Sequence, residues 1–543
     1  MKSNKLILFL AGICLALTSC NDFLDRLPDD RAELNSLDKV AKFLSSAYGT
    51  HSNAFVHEYA SDNVTFNGIS YDTQPNQEQV YMWKDVTSEG YDDPRSLWSD
   101  NYSAVAAANI ALETIDQFLA EGASLEQVNG LRAEALLCRA WAMFRLANVF
   151  CMAYNPSHPE YLGLPYPKVA GVEYFERGTL AELYNNINED IEAALPILSE
   201  THMTQPKFHF NYRAAYAFAA RFNLFYLNFD KAIEYATKAI GSDPTPVLRK
   251  WSQYSSLGAV DLANEFVKSG EASNFMLQTA YSIYGRSLYS SLYSRYAHSY
   301  NVISGYETLN AKSIWGSGTS NTALLLSAKQ YGSTTQARFP RITEFFEYRD
   351  KVGRTGYPHI VEVPFTSGET LLVRAEAYAL KNDSINAIKD MQYWLSTTCN
   401  TASRYYPILS GSSIVKFMES LEYAETIPEG DLQRSTRKKL TPQGFTIDAD
   451  GSIQESIVNL ILHMRRIETL HTGLRFNDIK RYGITYSHPH SNNPRPKESD
   501  PEVFVPGDLR GAIQLPNDVL KAGLPANPRE GDQPATVETD DNK

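Results

Sequence analysis

A pattern of paired helices occurs twice in the chain, and it limits the fold more than any other feature. Residues 214–240 read AAYAFAARFNLFYLNFDKAIEYATKAI, a helix rich in small residues followed by a short turn and an amphipathic helix. Residues 368–395 repeat this arrangement, with Arg374–Tyr378 in the first helix and Asn386–Lys389 in the second. Apolar residues three and four positions apart predict helices in both places. Each pair must bury its apolar face against a neighbour.

The two segments resemble tetratricopeptide units, which repeat about every 34 residues. Two further helices are predicted by capping boxes, in which the side chains of the first and fourth residues bond each other's backbone N–H. These boxes are Ser124 to Gln127 and Thr179 to Glu182. We therefore predict a mostly α fold in which tetratricopeptide-like helix pairs form a partial superhelical scaffold.

Two long segments, residues 53–93 and 242–366, interrupt the helical pattern. Both are rich in polar residues, glycine and aromatic side chains. Long irregular segments in a compact protein are usually functional or disordered, and a high aromatic content argues against disorder. The chain contains 33 Tyr, 25 Phe and 6 Trp. Aromatic residues outside the helices concentrate in these two segments, which we predict to form long irregular loops on a ligand-binding face.

The N-terminus has the features of a bacterial lipoprotein precursor. Lys2 and Lys5 precede an apolar run over residues 6–18, which is shorter than the ~20 residues of a membrane-spanning helix. The run ends in Leu-Thr-Ser-Cys, a lipobox with Cys20 as the acylated residue. We predict a signal peptide over residues 1–19, an acylated tether over residues 20–34 and a single domain over residues 35–543.

Composition and motifs exclude several classes of function. The net charge of −13 has the wrong sign for a nucleic-acid-binding protein. The sequence contains no phosphate loop, dinucleotide-binding turn, HExxH motif or GxSxG elbow. His488 and His490 lack a nearby third metal ligand, and residues 448–455 lack the outer carboxylates of a calcium loop. We expect no enzymatic activity, no cofactor and no metal. Cys138, Cys151 and Cys399 are too few for a disulfide framework, and we expect them to be unpaired.

Several motifs together resemble the SusD/RagB-like family of outer-membrane nutrient-binding lipoproteins. The lipobox leads into CNDFLDRLPDD, similar to the family's Cys followed by Asp-Phe-Leu-Asp. Residues 92–116, 131–150 and 162–167 are similar to its early helices and Pro-Tyr turn. RRIETLHTGLRFNDIKRYG, residues 465–483, is the most specific match, although Tyr482 stands where the family usually has Trp. Residues 508–528 are similar to the closing segment.

The resemblance implies a fold, a location and a partner. It implies a SusD-like α-helical scaffold, with Arg475, Asp478 and Arg481 in internal ion pairs. The protein would be anchored by Cys20 on the outside of a Gram-negative outer membrane. It would capture an oligosaccharide and pass it to a SusC-like TonB-dependent β-barrel transporter. The family provides no transferable ligand motif.

We select candidate ligand-binding residues from the chemistry of sugar recognition. Aromatic rings stack on pyranose faces, and polar side chains bond the hydroxyl groups. The candidates are Asn67, Tyr71, Asp72, Tyr81 and Trp83 in the first loop segment, and Arg295, Tyr296 and Trp315 in the second.

Three alternatives to glycan binding stay open at this point. The protein could be an oligopeptide-binding member of the same uptake system, or a tetratricopeptide-type adaptor for other proteins. A surface glycosidase has the least support, because no catalytic carboxylate pair can be recognised in the sequence.

Overall fold

The computed structural model describes residues 34–171, 176–424, 435–488 and 503–530, and helices dominate it. Cys20, the signal peptide, most of the tether and His490 lie outside the described residues. The helices are α1 Leu37–Phe43, α2 Ala54–Ala60, α3 Pro75–Tyr81, α4 Pro94–Ala120, α5 Leu125–Phe150, α6 Leu180–Ala194, α7 Tyr212–Phe225, α8 Phe229–Ile240, α9 Ala259–Phe266, α10 Tyr284–Ser287, α11 Ser367–Leu380, α12 Ser384–Thr398, α13 Gly411–Glu419, α14 Ile453–Glu468, α15 Leu474–Tyr482 and α16 Asn517–Lys521. The prediction of a mostly α fold is confirmed.

Local sequence signals explain where the scaffold helices begin. Ser124 and Thr179 each form the predicted capping box at the start of α5 and α6. Asn211 and Thr366 cap α7 and α11 by accepting a backbone N–H of the first turn. These bonds satisfy amide groups that have no partner inside the helix.

Two helix pairs, α5 with α6 and α11 with α12, contain the same buried ion pair. Arg139 on α5 donates two hydrogen bonds of 2.7 Å to Asp190 on α6. Arg374 on α11 donates two of 2.8 Å to Asp390 on α12. Arg374 also donates to the carbonyl of Gly241 at the end of α8, at 2.8 Å. The scaffold therefore repeats at the level of its internal contacts.

One part of the prediction is corrected, because residues 242–366 contain a real sheet. Strands β2 Asn274–Tyr281, β8 Phe345–Asp350 and β9 Thr355–Thr366 form an antiparallel sheet in the order β2-β9-β8. The run His-Ile-Val-Glu-Val in β9 contains three β-branched residues and favours a strand, but Pro358 and Pro364 weaken that signal. The other strands are the two-residue segments β1 Thr65–Phe66, β3 Tyr296–Ala297, β4 Gly316–Ser317, β5 Asn321–Thr322, β6 Tyr331–Gly332, β7 Ala337–Arg338, β10 Tyr486–Ser487 and β11 Val503–Phe504.

The core is continuous through the helical scaffold. Trp141, Phe144, Phe218 and Phe225 are buried in it, as their spacing predicts, whereas Tyr378 is half-buried. The three predicted free cysteines are buried and unpaired. Within the described ranges, no helix combines the length and apolar character needed to cross a membrane.

The last two long helices, α14 and α15, carry arginines in a buried network with carboxylates. Arg465 lies 3.1 Å from Asp478 and 3.3 Å from Glu376. Arg481 donates to the other oxygen of Glu376 at 2.7 Å. Arg475 makes two bonds of 2.8 Å to Asp62, beside α2. The internal ion pairs implied for Arg475, Asp478 and Arg481 are confirmed.

We expect Asp62→Asn to lower the free energy of unfolding by about 3–5 kcal/mol, the range seen when one partner of a buried ion pair is removed. Burial opposes ionisation of Asp62, but Arg466 and Arg475 hold its pKa well below the ordinary value. The substitution leaves both guanidinium groups buried without this carboxylate. Urea unfolding at neutral pH, followed by circular dichroism, measures the change.

Glu189→Gln is the matched control, because Glu189 forms an exposed pair with Lys168 at 2.9 Å. Exposed pairs contribute about 0–1 kcal/mol, so this variant should unfold almost like the parent protein. Equal losses in the two variants would contradict the assignment of the Asp62 pair as a structural anchor.

Candidate functional site

A short antiparallel pairing brings the two loop segments together. Strand β1 pairs with β3, with Phe66 opposite Tyr296. The Asn67 N–H donates to the Arg295 carbonyl at 2.8 Å, and the Arg295 N–H donates to the Asp72 carbonyl at 2.8 Å. The structure thus places seven of the eight predicted ligand-binding residues in one region, although more than 200 positions separate Trp83 from Arg295 in the sequence.

Arg295 and Asn67 hold the first loop in shape. The Arg295 Nε donates to the Tyr71 carbonyl at 2.8 Å, and its Nη2 donates to the Ile69 carbonyl at 3.2 Å. The Asn67 amide donates to the carbonyls of Ser294 and Thr335 at 2.8 and 2.7 Å. These donors bond the backbone, so we assign both side chains to positioning the loop. Asp72 is exposed beside them.

Tyr81, Trp83 and Tyr296 form an aromatic stack with His488. Tyr81 lies between Tyr296 and His488, with ring centroids 4.3 and 4.0 Å away. Trp83 stacks on His488 at 4.3 Å, and its indole N–H donates to the Ala60 carbonyl at 2.9 Å. All of these rings are buried. The expectation that Tyr81, Trp83 and Tyr296 present a ring face to ligand is therefore corrected: protein atoms already cover them.

Trp315 lies apart from the other candidates. Its ring stacks on His463 at 5.2 Å and contacts Trp394 at 5.8 Å. Only 1% of its surface is exposed. The expectation that Trp315 offers a ring to ligand is corrected, since its ring is buried in a different part of the core from Trp83.

Among the rings whose side chains the structure describes in this region, Tyr71, Tyr289 and Tyr300 are exposed, and we call these three the tyrosine face. Their exposed fractions are 37%, 51% and 43%. The Tyr300 N–H donates to the Thr334 carbonyl, and the carbonyl of the next residue, Thr335, accepts from the Asn67 amide. The guanidinium of Arg338 lies 4.9 Å from the Tyr289 ring centroid. The three rings thus project from segments that are bonded or packed together.

Sequence reasoning found Tyr71 but missed Tyr289 and Tyr300. Both lie in the second predicted loop segment, among serines and other tyrosines. Composition identifies that segment, but only the tertiary contacts decide which of its rings stay exposed.

A buried histidine–glutamate cluster, Glu58 with His298 and His471, has the residue types of a metal site. Their potential ligand atoms lie within 4.8 Å of one another. His298 Nε2 lies 3.0 Å from Glu58, and the Phe339 N–H donates to His471 Nε2 at 3.0 Å. The lone pair of His471 Nε2 is occupied by the Phe339 N–H, and Glu58 already bonds Asn63, His298 and the Gly473 N–H, so we assign the cluster to packing. The expectation of no metal remains a prediction.

Asp92 joins the two loop segments at a buried position. Its carboxylate accepts the Ser282 hydroxyl at 2.6 Å and the Ile283 N–H at 2.8 Å. Burial raises the pKa of Asp92 to about 7, against the bonds from Ser282 and Ile283 that lower it.

Comparison with known proteins agrees with this architecture. Residues 22–224 match a SusD-like family model described as "Starch-binding associating with outer membrane". The fold is similar to that of a SusD superfamily protein from Bacteroides thetaiotaomicron, with a TM-score of 0.59 and 16% identity over 91% of this chain and 100% of the other. The fold of the chain is SusD-like. The resemblance predicted from the sequence is thus confirmed.

Two other structural neighbours have ligands in their descriptions. A putative sugar binding protein from Bacteroides vulgatus has a TM-score of 0.61 and 17% identity over 92% of this chain and 99% of its own. A laminarin binding SusD-like protein has a TM-score of 0.52 and 15% identity over 91% of this chain and 98% of its own. At these identities the comparisons establish the shared fold. No curated protein matches this sequence.

The raised pKa of Asp92 predicts a stability that falls with rising pH. In the unfolded chain this carboxyl titrates near 3.8, whereas the folded protein keeps its proton up to about pH 7. The folded state therefore binds more protons between these values, and stability is lost as the pH rises through them. The loss from this group is at most about 4 kcal/mol.

The substitution Asp92→Asn tests this pH dependence, because the amide oxygen can still accept the Ile283 N–H but the side chain does not titrate. Urea unfolding should show a smaller loss of stability in Asp92→Asn than in the parent protein between about pH 4 and about pH 7. Parallel stability curves would show that Asp92 is ionised in the folded protein.

Proposed function

We propose that the protein is a cell-surface lipoprotein that binds an oligosaccharide and passes it to a SusC-like TonB-dependent β-barrel transporter. The observation that carries this proposal is the match of residues 22–224 to a family described as starch-binding and associated with the outer membrane. The fold shared with sugar- and laminarin-binding proteins supports it. We assign the protein a binding role and no catalytic one.

The tyrosine face has the chemistry of an oligosaccharide-binding surface. A tyrosine ring has an apolar face for a sugar ring and a hydroxyl that can bond its substituents. Side-chain entropy costs are small for such rings, because only two torsions must be fixed. An open surface also lets the glycan extend beyond the rings. We therefore place the glycan across Tyr71, Tyr289 and Tyr300, with Asp72 at the edge.

Membrane attachment is proposed to depend on Cys20. The Leu-Thr-Ser-Cys sequence at residues 17–20 provides the acylation signal, and the tether after it leads to α1. An acyl chain holds a protein at a membrane through burial of its CH₂ groups, at about 0.8 kcal/mol each. The outer leaflet would place the tyrosine face within reach of external glycans and of the transporter.

We expect the double substitution Tyr71→Ala and Tyr300→Ala to weaken glycan binding by about tenfold or more. Each lost aromatic contact contributes about 0.5–1.5 kcal/mol, and tenfold corresponds to about 1.4 kcal/mol. Electrophoresis in gels containing starch, laminarin or other glucans identifies a retarding polysaccharide. Calorimetry with its oligosaccharides then gives the affinities.

Tyr212→Ala is the matched control for that experiment. Tyr212 is 47% exposed, but it begins α7 on the helical scaffold and packs against Tyr216. Its loss should leave affinity unchanged. Equal affinity of the double variant and the parent protein for the glycan would show that the glycan does not bind at the tyrosine face. Peptides co-purifying with the protein, without retention by any glycan gel, would instead assign it to peptide uptake.

We expect Cys20→Ala to abolish acylation and release the protein from the membrane fraction. The thiol is the attachment atom, and alanine leaves the apolar leader unchanged. Metabolic labelling with a radioactive fatty acid and membrane fractionation measure both effects. Cys138→Ala, which removes a buried thiol in α5, is the control and should stay acylated. Fatty-acid labelling of the Cys20 variant would contradict the proposed anchor.

A further inference from the structure

A polar cleft lies between the helical scaffold and the sheet, separate from the tyrosine face. Residues 361–364 of β9 form one wall, and the starts of α2 and α15 form another. Trp141, Phe144 and Arg145 of α5 line its floor. The volume within it is about 100 Å³. One water needs about 10–15 Å³ by this measure, so the cleft has room for several waters or for one small molecule.

Two buried hydrogen-bond donors belong to residues that line this cleft and do not use their protons. They are the indole N–H of Trp141 and Nε of Arg341. Each side chain is more than nine-tenths buried. Neither atom has a hydrogen-bond partner among the described residues. Buried donors are almost always bonded in folded proteins, so the two together indicate a site for an acceptor.

Unused acceptors line the same cleft. Oδ1 of Asn53 and Oδ1 of Asn477 have no partner within the described parts of the chain, and the same holds for Nε2 of His57. Burial lowers the pKa of His57 to about 3, with Lys480 contributing, so its ring is neutral at physiological pH. A molecule that fits the cleft must therefore both donate and accept hydrogen bonds.

The cleft lining contains four arginines and three glutamates, and one of the arginines, Arg249, lies 3.9 Å from Glu271 outside the lining. With Glu271 counted, the charges are balanced. Arg145 acts on Glu362 and Arg341 acts on Glu468, and each lowers the pKa of its carboxyl partner. Arg221 and Glu369 pair with each other through two bonds of 3.1 Å. Burial lowers the pKa of Arg341 to about 10 and raises the pKa of Glu362 and of Glu468. This burial disfavours additional charge, and the balance gives no preference for an anion or a cation.

We propose that the cleft binds one small neutral polyol. Each hydroxyl group of a polyol is both a donor and an acceptor, which matches the mixed set of unused atoms. The apolar carbon side of the molecule would lie against Phe144 and Phe266, which also line the cleft. An oligosaccharide is too large for this volume, so the site is distinct from the glycan surface and does not depend on the proposed function.

Trp141→Phe tests the proposal by removing the indole N–H while keeping an aromatic ring against Phe218 and Phe365. Ligand-observed NMR titration with glycerol, erythritol and xylitol gives the affinities of the full mature protein. We expect at least one polyol to bind, and the variant to bind it about five- to tenfold more weakly. L-malate, a charged hydroxy compound, should bind less well than the neutral polyols.

Trp98→Phe is the matched control, because Trp98 packs against Tyr102 and Phe150 and does not line the cleft. It should bind the polyol as the parent protein does. If Trp141→Phe does not fold, Asn53→Ala replaces it, since this change removes an acceptor from a half-exposed residue of the lining. The Tyr71→Ala and Tyr300→Ala variant should retain polyol binding, which separates this site from the glycan surface.

A crystal soaked with the bound polyol locates it directly. Electron density for the polyol between Trp141 and Asn477 is the expected result. Ordered water alone in the cleft, no binding of any polyol, unchanged affinity in the tested cleft variant, or tighter binding of L-malate would each overturn the proposal.

Discussion

The buried arginines of α14 and α15 are the constraint on which the rest of the structure depends. A buried charge without a partner costs several kcal/mol, so each guanidinium group must meet a carboxylate with good geometry. The carboxylates come from distant parts of the chain: Asp62 follows α2, Glu307 lies in the second loop segment, and Glu376 belongs to α11. The observed arrangement of these elements brings a carboxylate to each of the four arginines Arg465, Arg466, Arg475 and Arg481.

The same network fixes the base of the tyrosine face. Arg466 donates to the Asp62 carbonyl at 2.8 Å and to Asn63 at 2.9 Å, just before β1 begins. It also pairs with Glu307, which follows the segment that carries Tyr300. One arginine thus anchors both irregular segments to the helical scaffold. The Asp92 bonds to Ser282 and Ile283 add a second connection between them.

The sequence predicted most of the scaffold, because its signals are local. Capping residues and apolar spacing define α5, α6 and the two repeated pairs without reference to the rest of the chain. The sheet was missed because its strands lie in a segment dominated by serine, glycine and tyrosine, with two prolines inside β9. The candidate site was predicted only as a region. Trp83 and Tyr71 lie in the same predicted loop segment, but Trp83 stacks on His488, about 400 positions away. No local pattern reveals such a contact.

This division between buried and exposed rings has a consequence for specificity. Tyr81, Trp83 and Tyr296 are held by stacking and cannot change without opening the core. Tyr71, Tyr289 and Tyr300 are substantially exposed, and exposed side chains away from packed features affect stability little. Their backbone, in contrast, is held by Arg295, Asn67 and the strand pairing beneath them. On the proposed glycan surface, ligand preference can therefore change through the exposed rings while the arginine network keeps the fold constant.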